Sequence, residues 1–152
     1  MPSRAAIDRF LALSPIALVG ASRDPKDFSH AVATQLRDGG RTVHLVNPES
    51  DEIDGQRCYR TLAEVPDPLE GVLVMVPAGS AAAVARASVQ RGVTSVWLHR
   101  GAGAGSVSAE AVALCREAGV DVIDGACPLM FTEPVAWFHR AHHFLVRRRF
   151  AA

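Results

Sequence analysis

What this sequence has little of narrows its biology first. It carries no excess charge of either sign: 16 Lys and Arg stand against 16 Asp and Glu, a formal net charge of zero. There is no global field to draw nucleic acid or an anionic membrane, so any anion site must be local. Cysteine is scarce, and Cys58, Cys115 and Cys127 are widely spaced with no CxxC pairing. An odd, scattered set argues against a disulfide framework and for a reducing cytoplasm. No segment approaches the ~20 consecutive apolar residues of a membrane span, and MPSRAAIDRFLALSP has too short an apolar run for a signal peptide. A GxSxG elbow and an HExxH pair are also missing, so no hydrolase or metalloprotease argument begins. Internal repeats, low-complexity tracts and linkers are absent as well. The 152 residues match one domain of ordinary size. We expect a single soluble cytoplasmic domain over 1–152, with a helical extension at about 134–152.

Against these absences stands a rhythm of apolar runs. Ile16 to Val19, Val43 to Val46, Val72 to Val76, Val96 to Leu98 and Val120 to Ile123 are continuous rather than alternating, which suits strands covered on both faces of a parallel sheet. Helical patterns lie between them. A first helix is expected after Ser3, a cap candidate, with Ile7, Phe10 and Leu11 on one face. Others are expected over Ser29 to Arg37, Ser80 to Arg91 and Ser108 to Ala118, stopped by Gly39, Gly92 and Gly119. The stretch from Asp51 to Pro68 breaks the rhythm: a turn at Asp54 and Gly55, a short piece QRCYR, then Thr61 to Glu64 spaced as a capping box. It reads as mostly irregular with a brief helix. The repeated strand–helix–strand order predicts a doubly wound, mostly parallel five-stranded α/β sheet with helices on both faces.

In such sheets ligands bind beyond the carboxyl ends of the strands, near the point where strand order reverses. That rule selects Gly20-Ala21-Ser22, Val46-Asn47-Pro48, Val76-Pro77-Ala78, Leu98 to Gly101 and Ala126 to Pro128. A helix starting near Ser29 and a glycine-edged loop are suited to a phosphate, which makes a mononucleotide or dinucleotide the default ligand. Gly20 alone leaves an ordinary turn and a phosphate loop equally open. The stretch lacks both GxGxxG and the GxxxxGK[ST] frame. Arg23 and Lys26 are either phosphate partners or solvated loop charges. Asn47 stands where an acid usually holds the ribose of NAD, with Glu49 two residues later, which disfavours NAD without excluding it.

The ordered segments IALVGAS, VHLVNP, DGQRCYRTLAEVPDP, VLVMVPA, GVTSVWLH and EAGVDVIDGACP, spanning about Ile16 to Pro128, together resemble the small bacterial CoA-binding proteins. More distantly they resemble the CoA-binding domain of the succinyl-CoA synthetase alpha subunit. The resemblance implies a Rossmann-like domain holding coenzyme A or an acyl-CoA. Gly20, Ala21 and Ser22 with Ser29 would lie near the phosphates, and Val46, Asn47 and Pro48 near the adenosine ribose. Val76, Pro77 and Ala78 would lie near the adenine or the start of the pantetheine arm, and His99 with the Gly101 to Gly105 loop would border the route to the thiol. Family members commonly carry a basic residue just after the NP turn, suited to the ribose 3′-phosphate. This chain has Glu49 there, which leaves Arg23, Lys26 or Arg41 as candidate cations. The synthetase's second domain, with its phosphorylated histidine, has no counterpart in the sequence, so acyl-CoA ligase activity by this chain alone is not expected. A non-catalytic binding protein, acting as a sensor or regulatory module, is the leading expectation. The alternative is an NAD(P)- or CoA-dependent enzyme using His99 or Cys127.

Cys127, at the expected end of the fifth strand, is either a reactive thiol or a small buried side chain, the commoner fate. Pro134 suits a helix start, and Trp137, Ala141, Phe144 and Leu145 then form an apolar stripe for docking on the domain or on a second copy as a homodimer. His139 and His143 have a zinc-compatible spacing but no third ligand, and Arg147 to Arg149 read as a solvated helix end. No metal, nucleic-acid or membrane partner is expected.

Overall fold

The run Ile16–Val19 needs no water along its length, and it becomes the centre of the sheet: β1 (Ile16–Val19) is buried at all four positions. A computed structural model of the chain describes residues 2–101, 103 and 105–132. The tail readings at Pro134, Trp137, His139, Ala141, His143, Phe144, Leu145 and Arg147 to Arg149 lie outside those residues. The elements run α1 (Arg4–Leu11), β1, α2 (Phe28–Asp38), β2 (Val43–Val46), β3 (Glu52–Ile53), β4 (Gln56–Tyr59), β5 (Gly71–Val74), α3 (Ala78–Gln90), β6 (Ser95–Leu98), α4 (Ala109–Glu117) and β7 (Asp121–Asp124). Short 3-10 turns occupy Leu62–Glu64 and Pro128–Met130.

The sheet order is β3-β4-β2-β1-β5-β6-β7. Every pairing is parallel except the β3–β4 hairpin. β1 lies between β2 and β5, with Val19 opposite Val46 on one side and Val74 on the other. The chain thus builds outward from β1 through β2 and then returns to its other side as β5. Strand order reverses between β1 and β5, and that gap is the expected ligand crevice.

Helices cover both faces, as the unalternating runs require. On one face α1 and α2 pack Ile7, Phe10, Val32 and Leu36 against Ile16, Leu18, Leu73, Trp97 and Ile123. The Phe10 ring meets Trp97 edge-on at 5.3 Å, a favoured aromatic geometry. On the other face α3 and α4 present Ala81, Ala85, Ala111, Val112 and Cys115 to Ala17, Val72, Val74, Val96 and Leu98. Small residues on α3 allow this close approach. Ser3 caps α1, its side chain accepting from the Ala6 N–H, and Ser108 caps α4 in the same way from Ala111.

The sheet has seven strands where five were expected. The additional pair is a hairpin within the stretch read as irregular. Asp54 and Gly55 both take positive φ, 51° and 70°, the conformation of a tight two-residue hairpin turn. Its strands are two and four residues long and largely exposed, so they carry little apolar signature. Ile53 and Cys58 join the core on one face of the sheet, and the half-buried Tyr59 packs against the core on the other. The expected capping box does not form, its acid reaching one residue further back than the cap. Thr61 makes no side-chain cap, while Glu64 accepts from the backbone N–H of Arg60 at 3.2 Å. β5 stops at Val74, short of Val76, because the chain turns into α3 with Pro77 as its cap. After α2 the left-handed residue is Gly40, at φ 91°, rather than Gly39.

Candidate functional site

The loops after β1 and β5 are pressed together by a missing side chain. Gly20 has φ 101°, and a Cβ built on it would lie 2.7 Å from the carbonyl carbon and oxygen of Met75. The close approach that demands glycine is therefore to the protein's own β5 loop. An L side chain here would meet both backbone strain and a backbone clash.

Beyond Gly20 the loop is organised by its own hydrogen bonds. The N–H groups of Gly20 and Ala21 donate to the Val46 carbonyl at 3.0 and 3.3 Å. Ser22 N–H donates to Ser29 Oγ at 3.1 Å, and Asp24 N–H to Ser22 Oγ at 3.1 Å. α2 begins at Phe28, and Asp27 caps it by accepting from Ser29 N–H at 2.8 Å. Most backbone donors of this loop thus already have partners within the chain. What it offers outward are the Ser22 hydroxyl and the side chains of Arg23 and Lys26, both exposed and without a side-chain partner among the described residues.

Two side chains pin the loop from beneath. Asn47 Nδ2 donates to the Ala21 carbonyl at 2.6 Å, and its Oδ1 accepts from Glu49 N–H at 2.8 Å. Asn47 therefore joins the carboxyl ends of β1 and β2, and both ends of its amide are engaged. His30 lies between two acceptors: Nε2 is 2.8 Å from the Ser22 carbonyl and Nδ1 is 2.8 Å from Asp54 Oδ2. A doubly protonated ring donates to both, a neutral ring to one. His30 so connects the loop to the tip of the β3–β4 hairpin.

On the α3 side of the same strand ends lies an open groove of about 350 Å³. Val19, Val46, Pro48, Val76, Ser80 and Val84 form most of its lining, with Arg60 and Thr61 contributed from just beyond β4. Pro77 is exposed and Ala78 opens α3. The expected residues Gly20, Ala21, Ser22, Ser29, Val46, Asn47, Pro48, Val76, Pro77 and Ala78 are thus brought to one end of the sheet. Val46, Pro48 and Val76 line the groove itself. Arg41 is not among them. It precedes β2, at the opposite end of the strand, and its Nε donates to the Leu11 carbonyl at 2.5 Å. Sequence reasoning missed Arg60, Ser80 and Val84, whose convergence depends on how the β4 crossover and α3 meet. It also missed Ser106, which is buried: its hydroxyl bonds the Val76 carbonyl and its N–H donates to the His99 carbonyl at 2.8 Å, joining the loops after β5 and β6.

His99 follows β6 and lies beside Phe28, ring centroids 5.6 Å apart. Phe28 is 47% exposed at the start of α2, one of two large apolar side chains left open to solvent among the described residues. His99 is buried, and its Nε2 has no hydrogen-bond partner among the described residues. Burial holds its pKa below the ordinary 6.5, so the ring is neutral at pH 7. Cys127 is buried too. Desolvation pushes its thiol pKa up against the opposing pull of the Leu129 and Met130 backbone N–H groups, which keeps it protonated at neutral pH rather than a thiolate nucleophile. All three cysteines are free and buried. Among the described residues no cluster of His, Cys, Asp and Glu could hold a metal ion, and no helix is long and apolar enough to cross a membrane.

Comparison with known proteins accords with this arrangement. The chain is 32% identical over 127 residues to the uncharacterized protein YneT of Bacillus subtilis, a match covering 83% of this chain and 91% of that one. Over 73 residues it is 33% identical to the alpha subunit of acetate–CoA ligase (ADP-forming) II of Pyrococcus furiosus, covering 47% of this chain and 16% of that subunit. A hypothetical protein from Pyrococcus horikoshii superimposes with a TM-score of 0.77 at 27% identity, over 84% of this chain and 88% of that structure. The family described as the CoA binding domain matches residues 14–133. That match takes in all seven strands and the crevice between β1 and β5, and the chain belongs to the CoA binding domain family.

Proposed function

We propose that this chain binds coenzyme A or an acyl-CoA as a non-catalytic sensor or regulatory module of the cytoplasm. The observation that carries the reading is the apolar groove at the strand-order reversal, which adjoins the Gly20 loop and lies within the family match. The adenine fills the groove between Val46, Val76 and Val84. The ribose lies over Pro48, and the diphosphate passes the Gly20–Ser22 loop, meeting the Ser22 hydroxyl and the free cations Arg23 and Lys26. The pantetheine arm leaves over Pro77 and Ala78 toward Phe28 and His99. Neutral His99, with Nε2 lacking a partner, suits an amide-bearing arm better than a charged group. NAD(P) fits less well, because Asn47 stands where an acid would hold the ribose and its amide is engaged within the chain.

Native mass spectrometry of freshly purified protein, followed by calorimetry with CoA, dephospho-CoA and NAD, tests the reading. A CoA species bound well below millimolar is expected. Binding of NAD alone would refute it. The second reading, catalysis, is favoured only by the unpartnered Nε2 of His99. On that reading His99→Ala would abolish a measurable turnover while leaving ligand affinity intact. On ours it weakens ligand affinity, with no turnover to lose.

A further inference from the structure

The Glu49 carboxylate stands beside the turn that follows Asn47 and Pro48, the place where the ribose of the ligand is proposed to lie. A phosphate on the ribose 3′-oxygen therefore needs a cation from another part of the chain. Arg23 and Lys26 lie on the far side of the Gly20 loop, by the diphosphate, and Arg41 is at the opposite end of β2. Of the residues lining the groove, one is charged: Arg60. It follows β4, whose Tyr59 is paired with Val46 of β2, so it faces the groove from the β2 side, where the ribose edge lies.

Arg60 is also held in place. Its Nε donates to Asp51 Oδ1 at 2.8 Å and its Nη2 to Asp51 Oδ2 at 3.1 Å. Its backbone N–H donates to Glu64. One edge of the guanidinium is thus fixed by a carboxylate in a two-point pair, while Nη1 takes no part in that pair and keeps two N–H donors. A fixed guanidinium loses little side-chain freedom when an anion arrives, which a mobile lysine would not match. We propose that Arg60, oriented by Asp51, is the residue that recognises the ribose 3′-phosphate and so distinguishes coenzyme A from dephospho-CoA and from adenine nucleotides with a free 3′-hydroxyl. Asp51 acts as the positioning residue. The inference rests on the proposed CoA-binding reading and assigns the specificity of that site.

The test is calorimetric titration of the full chain with CoA and with dephospho-CoA at fixed ionic strength, for the wild type, Arg60→Gln and Asp51→Asn. The wild type should bind CoA about ten-fold more tightly than dephospho-CoA, the range of one charge-assisted contact at a partly open site. Arg60→Gln should bring the two affinities together, the loss falling chiefly on CoA so that its roughly ten-fold preference over dephospho-CoA disappears. Asp51→Asn should reduce the preference without removing it. Equal affinities in the wild type, or a preference that survives in Arg60→Gln, would overturn the assignment. If the wild type binds neither ligand, the CoA reading itself fails. Both surface substitutions are checked for folding by thermal denaturation, and dephospho-CoA binding serves as an internal control for an intact groove.

Discussion

At the scale of single residues, the decisive positions are those where the backbone leaves no alternative. Gly20 combines φ 101° with a Cβ position 2.7 Å from the Met75 backbone. We expect Gly20→Ala to destabilise the fold by about 1–3 kcal/mol or more and to weaken CoA binding further by separating the β1 and β5 loops; thermal denaturation and calorimetry on the same sample read both effects. His99 sets a pH dependence. Burial places its folded-state pKa below the value of 6.5 that an exposed histidine has, so below about pH 6.5 the unfolded chain takes up the proton more readily. His99's contribution to stability is therefore complete above that pH and is lost as pH falls toward the folded-state value. His99→Gln should flatten this part of the stability-versus-pH curve. A curve equally steep in wild type and variant between pH 5 and 7 would contradict the assignment. Some of this was legible beforehand: the strand-end rule picked out Gly20 and His99. The partners were not, because Met75, Ser106 and Arg60 reach the site only through the packing of distant segments.

At the scale of elements, the crossover from β4 to β5 is secured by one side chain. Arg91, at the end of α3, donates Nη1 to the carbonyls of Leu62 and Val65, at 2.5 and 2.7 Å, and Nη2 to Asp67 at 2.9 Å. Three acceptors shared between two nitrogens of one side chain suit the guanidinium fork and not an ammonium. Its side chain is 15% exposed, so the carbonyl contacts lie largely out of water. We expect Arg91→Lys to cost about 1–3 kcal/mol and to raise amide hydrogen exchange selectively over Leu62 to Val65. Exchange unchanged in that segment would show that the crossover is held otherwise. The continuous apolar runs announced the five long-range parallel strands, and the cap candidate Ser3 announced α1. The β3–β4 hairpin escaped notice although its Asp-Gly turn was visible, because an exposed two-residue strand buries one side chain, Ile53, too little to generate a period.

At the scale of the whole molecule, the sheet order places β1 between two parallel neighbours, β2 and β5, where strand order reverses, and the residues proposed for the ligand gather about the carboxyl ends of these strands. The chain is balanced in charge, so the proposed site depends on local groups: Arg60 in the lining of the groove, and Arg23 and Lys26 on the loop after β1. The resemblance of strand-end segments conveyed the ligand class before the fold was known, since each segment is short but their order is not accidental. It could not convey the groove proposed for the adenosine, because that groove is assembled from β1, β2, the β4 crossover and α3 together. The most direct test of the account is therefore to block that groove. Ser80 is exposed at the first turn of α3 and lines the groove, so Ser80→Trp fills it with little burden on folding. Titrated with CoA beside the wild type, a folded Ser80→Trp protein should lose affinity by at least about 100-fold; unchanged CoA affinity in a variant with a wild-type melting temperature would contradict the account.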